Sequence, residues 1–326
     1  MRVAINGLGR IGRAVLKIGL KHGINFVAIN DLTDTSNLAY LMKHDSVYGS
    51  YDKKVVAGKD FLKIGNKRIK VFSNQFPENI PWKEVKADVI VESTGLFRDR
   101  EKAKKHFEAG AKKVVISATS KDPDIMVVLG VNHNQLKPIH KIISNASCTT
   151  NCLAPVVRVL DDSFGVKKGF MTTVHAYTSS QKIIDGPQKK FRRGRAGALN
   201  IVPTTSGGST AVARVIPKLR GKLDGLALRV PVANGSITDF ICELKKSVTK
   251  DQVNNAFKAA SKSSLKGIMQ YSEEELVSSD IIGNPHSCII DSPLTQANGN
   301  LVKVLAWYDN EFGYSNRLVE LLKMLR

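Results

Sequence analysis

The sequence predicts an α/β chain in two parts, a doubly wound parallel-sheet domain followed by an α+β domain whose sheet is mostly antiparallel. Three observations predict it. Short apolar runs alternate with helical patterns through the first half, the texture of parallel strands joined by crossover helices. After residue 148 the apolar runs lengthen and alternate with polar residues, as a half-exposed antiparallel sheet requires. A chain of 326 residues also exceeds what one ordinary core serves, so two domains are expected.

Taken in order, Val3–Ile5, Phe26–Ile29, Val89–Val91, Val114–Ile116 and Ile142–Ile143 are the buried-strand candidates, each a short run rich in β-branched or aromatic residues. Between the first two, Ala14-Val15-Leu16-Lys17-Ile18 carries an amphipathic helix that Gly23 is placed to end. Phe61–Ile64 and Ile69–Phe72 flank Gly65-Asn66, which predicts a hairpin inserted into the sheet. In the second part Gly169–Tyr177, Leu226–Val232, Thr238–Leu244 and Leu301–Trp307 are the strands, and Thr238, Phe240, Cys242 and Leu244 share one face. Ser179–Ala198 is rich in Gly, Lys, Arg and Gln without a period and reads as a long ordered loop of functional or interfacial use. A last helix, about Ser315–Leu325, gathers Leu318, Leu321, Leu322 and Leu325 on one face and is expected to pack back on the first domain. The domains are accordingly expected at 1–147, joined by the terminal helix 311–326, and at 148–310.

Composition narrows the function classes. With 42% hydrophobic and 24% charged residues the chain has the balance of a soluble globular protein rather than a disordered one. No apolar run is long enough to span a bilayer. The opening Met1-Arg2-Val3-Ala4-Ile5 runs directly into a glycine turn and leaves no room for a signal peptide, so a cytoplasmic protein without a membrane partner is expected. The four cysteines make poor disulfide arithmetic and no zinc pattern, so no metal is expected. An excess of 49 Lys+Arg over 29 Asp+Glu would attract anions, but the lysines are scattered and read as a solvated surface. Any nucleic-acid binding is expected to be weak, non-specific and lost as salt rises.

Gly7-Leu8-Gly9-Arg10-Ile11-Gly12 fits the G-x-G-x-x-G pattern between the first strand and the first helix. Glycines there permit a tight turn and the close approach of a pyrophosphate, whose charge then faces N–H groups at the helix start. Asp31 stands at the end of the second strand, about 20 residues on, where a carboxylate can bond a ribose hydroxyl pair. Together they predict a Rossmann-type dinucleotide domain, and the carboxylate favours NAD because it would repel the extra phosphate of NADP. Glu92-Ser93-Thr94-Gly95 and Ser117-Ala118-Thr119 each close a predicted parallel strand, where open sheets bind ligands.

Ser147-Cys148-Thr149-Thr150-Asn151-Cys152 follows a strand and precedes the apolar helical run Leu153–Leu160. Cys148 thus belongs near a helix N-terminus, where exposed N–H groups stabilise a thiolate, although the hydroxyls around it would serve equally as ordinary caps. Cys152, one turn deeper, reads as an inert packing residue. Of the seven histidines, His175 is the best placed to act as a base, at a strand end before the long loop; taken alone it reads equally as a satisfied structural histidine. The other six, His106 among them, read as surface histidines.

At these residues the sequence resembles the glyceraldehyde-3-phosphate dehydrogenase family over essentially its whole length. The matching segments are Ala4 to Arg13, Ser144 to Cys152, His175-Ala176-Tyr177-Thr178, Asp185-Gly186-Pro187, and Trp307 to Ser315. The resemblance implies an NAD-dependent aldehyde oxidation in which Cys148 attacks the aldehyde and His175 takes the proton and steadies the oxyanion. Hydride passes to the nicotinamide, and inorganic phosphate releases the thioester as an acyl phosphate. It further implies that Asn310 holds the nicotinamide carboxamide and that Thr178 and Arg229 hold the substrate's phosphate. Ser147, Thr149, Arg193, Ser206 and Gly207 would hold the attacking phosphate, and the long loop would line a homotetramer interface. Leu32 and Pro187 match the NAD-using members. Erythrose-4-phosphate dehydrogenase is the neighbouring alternative within the superfamily. Three departures stand out: Ser206 where threonine is common, Gly208-Ser209-Thr210 in place of Ala-Ala-Lys, and Phe312 in place of tryptophan.

Overall fold

The computed structural model describes residues 1–325, and two compact units emerge from it. The first comprises Met1–Val127 and Asn134–Ala146 together with the segment from Ser315 onward. The second comprises Val128–His133 and Ser147–Tyr314. The six residues Val128–His133, expected within 1–147, are thus grouped with the second unit. Arg158, on a helix of that unit, donates to Gly130 O at 2.8 Å and Val131 O at 2.7 Å, which supplies the reason.

In the first unit nine strands form one sheet. Its order is Ile125–Met126, Ile142–Ser144, Lys113–Ile116, Val89–Glu92, Arg2–Asn6, Asn25–Asn30, Lys67–Phe72, Phe61–Ile64 and Val55–Ala57. Pairing is parallel up to Lys67–Phe72 and antiparallel in the three-stranded extension beyond it. Val3, Ile5, Ile29, Ile90, Val91, Val114 and Val115 are all fully buried, which is why these strands read as continuous apolar runs. The hairpin closes with Ile64 opposite Lys67, and only Gly65 of the two turn residues has positive φ (56°), the pattern of a type II′ turn. The first helix runs Arg10–Lys21 and buries Gly12, Val15, Leu16, Ile18 and Gly19. Gly23 follows it at φ 71° while Ile24 N returns to Gly19 O at 2.8 Å. The terminal helix spans Phe312–Met324, and its part from Ser315 belongs to this unit.

The second unit holds an eight-stranded sheet in the order Val202–Thr205, Leu223–Val230, Val166–Ala176, Ser236–Leu244, Leu301–Tyr308, Cys288–Asp291 and Met269–Ser272, with Gln296–Asn298 paired to the fifth. All pairs are antiparallel except two. On Ser236–Leu244, Thr238, Phe240, Cys242 and Leu244 are buried, whereas Ile241 is exposed. Each fully buried aliphatic or aromatic side chain on that face contributes roughly 1.5–3 kcal/mol of transfer free energy. Helix Cys148–Phe164 buries eleven of its seventeen residues, and the 179–198 loop folds on itself through a short 3-10 turn, Phe191–Gly194, and a bridge between Lys182 and Ala196.

Candidate active site

The first unit builds an anion cradle from the glycine turn. Gly7 has φ +91°, and a Cβ on it would fall 2.8 Å from Thr94 N. A Cβ on Gly12 would fall 2.2 Å from Gly7 O, so both positions demand glycine. Gly9 begins the helix with extended backbone and no side-chain cap, so the first turn of the helix suits an incoming acceptor. Asp31 braces the turn: Oδ2 accepts from Leu8 N at 2.7 Å and Oδ1 from Thr33 N at 3.0 Å. Each oxygen keeps a lone pair for a ribose hydroxyl. The Arg10 guanidinium is engaged with Asp45 at 3.0 and 3.1 Å. Ser117 lies at the carboxyl end of Lys113–Ile116, with its N–H on Glu92 O at 2.9 Å. A cradle that a Cβ would fill, a helix start without a side-chain cap and a braced carboxylate fit a dinucleotide's pyrophosphate and ribose.

The second unit holds the cysteine. Ser147 is the N-cap of helix Cys148–Phe164, its Oγ accepting from Thr150 N at 3.1 Å, so Cys148 is the first residue of the helix. Ala146, just before, sits at φ 55°, an uncommon region for a residue with a side chain and a place where strain collects at functional sites. Cys148 Sγ lies 3.5 Å from His175 Nε2. His175 Nδ1 lies 2.7 Å from Ala176 O, which only accepts, and this closer contact places the ring proton on Nδ1 and leaves Nε2 facing the thiol as a bare acceptor; Arg229 Nη1, which only donates, therefore lies against the ring without a hydrogen bond to it. Arg229 Nη1 is 3.0 Å from the same Nδ1 and donates to Ala176 O at 2.9 Å and to Thr178 Oγ1 at 3.3 Å.

At the helix start the Cys148 thiol meets burial as well as the N–H groups that favour a thiolate. Burial pushes the Cys148 thiol up, opposed by Arg229 and by hydrogen bonds from Thr149. Burial, with the Arg229 charge next in importance, holds His175 down at about 3. Cys152 is a different environment altogether: it is fully buried, faces Thr238 Oγ1 at 3.5 Å and Ala306 O at 3.7 Å, and burial raises its thiol to about 12.

Around the pair the remaining expected residues form one connected set. Arg193 donates through Nε to Thr204 Oγ1 at 2.9 Å and through Nη1 to Ser180 Oγ at 3.3 Å. Ser180 Oγ shares a hydrogen with Thr178 Oγ1 at 2.8 Å, so Arg193, Ser180, Thr178 and Arg229 are linked in sequence, and Arg229 lies against the His175 ring. Ser206 Oγ accepts from Gly208 N at 3.1 Å, and Gly207 caps the helix Gly208–Val215. A Cβ on Gly208 would fall 2.7 Å from Thr149 Cγ2, so this departure from the family pattern lets the helix start lie against Thr149. Asn310 Oδ1 accepts from Ser236 Oγ at 2.8 Å, and that Oγ accepts from Ala176 N at 3.1 Å, leaving the Asn310 amide nitrogen for a carbonyl.

Sequence reasoning missed three members. Ser180 joins the two arginines, and Thr204 fixes the first of them. Tyr308 is buried, takes Thr149 Oγ1 at 2.9 Å and Thr173 Oγ1 at 2.8 Å, and meets the His175 ring edge-on with centroids 5.9 Å apart. Ser180 and Thr204 are lone hydroxyls in polar runs and carry no local signal; Tyr308 lies inside a matched segment, which marked it without giving its use.

Comparison with known proteins agrees across the whole chain. The family model described as "Glyceraldehyde 3-phosphate dehydrogenase, NAD binding domain" matches residues 1–100, and the one described as "Glyceraldehyde 3-phosphate dehydrogenase, C-terminal domain" matches residues 147–310. The "Glyceraldehyde-3-phosphate dehydrogenase" of Streptomyces coelicolor is 54% identical over 326 residues, covering 98% of this chain and 97% of that one. "Glyceraldehyde-3-phosphate dehydrogenase 2" of Streptomyces avermitilis is 52% identical over 325 residues, at 98% and 97% coverage. The protein of the same name from Bacillus subtilis is 52% identical over 326 residues, at 99% and 96%.

Proposed function

The chain belongs to the glyceraldehyde-3-phosphate dehydrogenase family, and from that premise we propose that it oxidises glyceraldehyde 3-phosphate to 1,3-bisphosphoglycerate, with NAD as cofactor and inorganic phosphate as acceptor, through a thiohemiacetal and a thioester on Cys148. The observation that carries this reading is the contact of Cys148 with the buried His175 at 3.5 Å, with Arg229 against it.

His175 Nε2 takes the thiol proton as Sγ bonds to the aldehyde carbon, and the resulting N–H gives that proton to the developing oxyanion, forming the thiohemiacetal hydroxyl and restoring the neutral base. The Gly7–Gly12 turn, Asp31 and Ser117 would hold NAD, the family resemblance would give Asn310 the nicotinamide carboxamide, and NAD would supply the hydride acceptor. His175 takes the hydroxyl proton of the thiohemiacetal as the thioester forms, and returns a proton after phosphate oxygen attacks the thioester and expels the Cys148 sulfur. Thr178 and Arg229 hold the substrate's own phosphate. Ser147, Thr149, Arg193, Ser206 and Gly207 hold the attacking one, guanidinium and hydroxyl donors suiting phosphate oxygens. Because Arg229 disfavours protonation of His175, a phosphate bound to Arg229 offsets that charge and raises the base's proton affinity. The phosphorylated aldehyde thereby activates its own nucleophile.

The test compares glyceraldehyde 3-phosphate and erythrose 4-phosphate with and without inorganic phosphate. Steady turnover of the three-carbon aldehyde is expected to depend on added phosphate; without it, NADH should appear in a burst equal to the active sites, followed by slow hydrolysis. Full-rate turnover without phosphate, or preference for the four-carbon aldehyde, would sink the choice of reaction. Relatives across the chain carry the glyceraldehyde-3-phosphate name, which does not favour the erythrose alternative.

Cofactor preference gives a second test. NAD is expected to outperform NADP in kcat/KM, and Asp31→Ala to narrow the ratio by removing the carboxylate that repels a 2′-phosphate. Equal kcat/KM for the two in the unaltered protein counts against this. The chain is read as one subunit of a homotetramer, a reading supported by Ile183 and Phe191 of the 179–198 loop and Leu199 directly after it, each more than four-fifths exposed. A cytoplasmic location is supported by four free cysteines. Among the described residues no helix is long and apolar enough to cross a membrane.

A further inference from the structure

The first unit buries a chain of polar groups that the reaction above does not use. His106, read from sequence as a surface histidine, is completely buried on helix Arg100–Glu108, because its ring fills a gap between Trp82 and Glu92, themselves buried. Trp82 Nε1 donates to His106 Nδ1 at 3.0 Å. An indole nitrogen can only donate, so Nδ1 is the acceptor and the ring proton sits on Nε2. From there it is donated to Glu92 Oε2 at 3.1 Å. The same Oε2 accepts from Asn6 Nδ2 at 2.7 Å, and Oε1 accepts from Thr94 N at 2.9 Å and from Thr94 Oγ1. Four donors fill the carboxylate's acceptor capacity, and none of the four is a lysine or an arginine.

Both arms of Glu92 reach the cradle. Thr94 is the residue that presses on Gly7, where a Cβ would fall 2.8 Å from Thr94 N and 2.9 Å from its Cγ2. Ser93, between them, donates from Oγ to Gly7 O at 2.6 Å. On the other arm Asn6, directly before Gly7, accepts at Oδ1 from Asn30 Nδ2 at 2.8 Å, and Asn30 precedes the Asp31 that braces Leu8 N. The carboxylate therefore ties the glycine turn, the strand end that carries Asp31 and the Ser93–Thr94 rim to a single point, and His106 fixes that point from the helix behind.

We propose that His106 and Glu92 are positioning residues for the dinucleotide: with its proton confined to Nε2 by Trp82, His106 holds Glu92 in the arrangement that sets Asn6 and Thr94 against Gly7. The inference rests on reading the first unit as the NAD domain. His106→Asn keeps an acceptor facing Trp82 but removes the donor to Glu92, whereas His106→Gln returns an N–H near the Nε2 position. Calorimetric titration of the purified full chain with NAD is expected to show a Kd raised about tenfold in His106→Asn, the effect of losing one hydrogen bond to a charged group. Recovery to within about threefold is expected in His106→Gln. In turnover the loss should fall on KM for NAD rather than on kcat, and should persist at a temperature where Tm shows both variants folded. An unchanged Kd in folded His106→Asn, or equal weakening in the two variants, would overturn the proposal and leave a network that only satisfies buried groups. If His106→Asn does not fold, Trp82→Phe is used instead: it frees the ring proton to move to Nδ1, so a raised Kd supports the proposal and an unchanged one overturns it. Absence of NAD binding by the unaltered chain would instead remove the cofactor reading on which the inference stands.

Discussion

Cys148→Ala is expected to lower kcat by at least about 10⁴-fold, while Cys152→Ala keeps turnover within about twofold of the unaltered protein. The two thiols are four residues apart in one helix, yet only one is placed for chemistry. Cys148 starts the helix beside His175 Nε2 at 3.5 Å and is partly accessible, whereas Cys152 faces Thr238 and the carbonyl of Ala306 in the core. Removing the first deletes the atom that forms the covalent bond, so no residual route passes through a thioester. Steady-state rates of NADH formation check the prediction, and mass-spectrometric mapping after iodoacetamide treatment checks its cause: Cys148 should alkylate and Cys152, raised by burial to about 12, should not. Retained turnover in purified Cys148→Ala would end the assignment of the nucleophile.

His175→Asn is expected to reduce kcat/KM by about 10²–10⁴-fold, the range for losing a general base, without loss of the fold. Asparagine keeps a donor in reach of Ala176 O but has no counterpart of Nε2, so proton acceptance is lost while the local hydrogen bond survives. The same variant carries a stability signature. An imidazole in the unfolded chain titrates near 6.5, and His175 in the fold titrates at about 3. Between those values the unfolded state binds the extra proton, so stability is fully present above 6.5 and declines as pH falls toward 3. Denaturant unfolding at a series of pH values should therefore show a shallower acid decline in His175→Asn than in the unaltered chain. An identical slope in the two proteins would mean that His175 is not held neutral in the fold, and activity near the unaltered level would remove it from the mechanism.

Sequence by itself determined the elements and the reactive ends. Val3–Ile5 and Val89–Val91 are apolar without interruption because both faces of a parallel sheet are covered, and Thr238 to Leu244 alternates because one face is not. Glycine at 12 and the capped start at Cys148 are equally local, fixed by hydrogen bonding and close approach within a few residues, whereas glycine at 7 is required both by its positive φ and by the distant Thr94 packed against it. Tertiary structure alone decided partners that lie far apart in the chain. Thr149 meets Tyr308 across 159 residues, and Asn6 meets Glu92 across 86. Ser180 becomes the link between Arg193 and Arg229 only because the 179–198 loop folds back on itself. His106 shows the same limit from the other side: its helix is so polar that a surface position is the natural reading, and only the packing of Trp82 and Glu92 around it makes a buried ring acceptable. The physical reason is that a period of 2 or 3.6 and a backbone preference are written in neighbouring residues. Which donor satisfies a buried polar group is set by the register in which distant segments come together, and no window of sequence contains both partners.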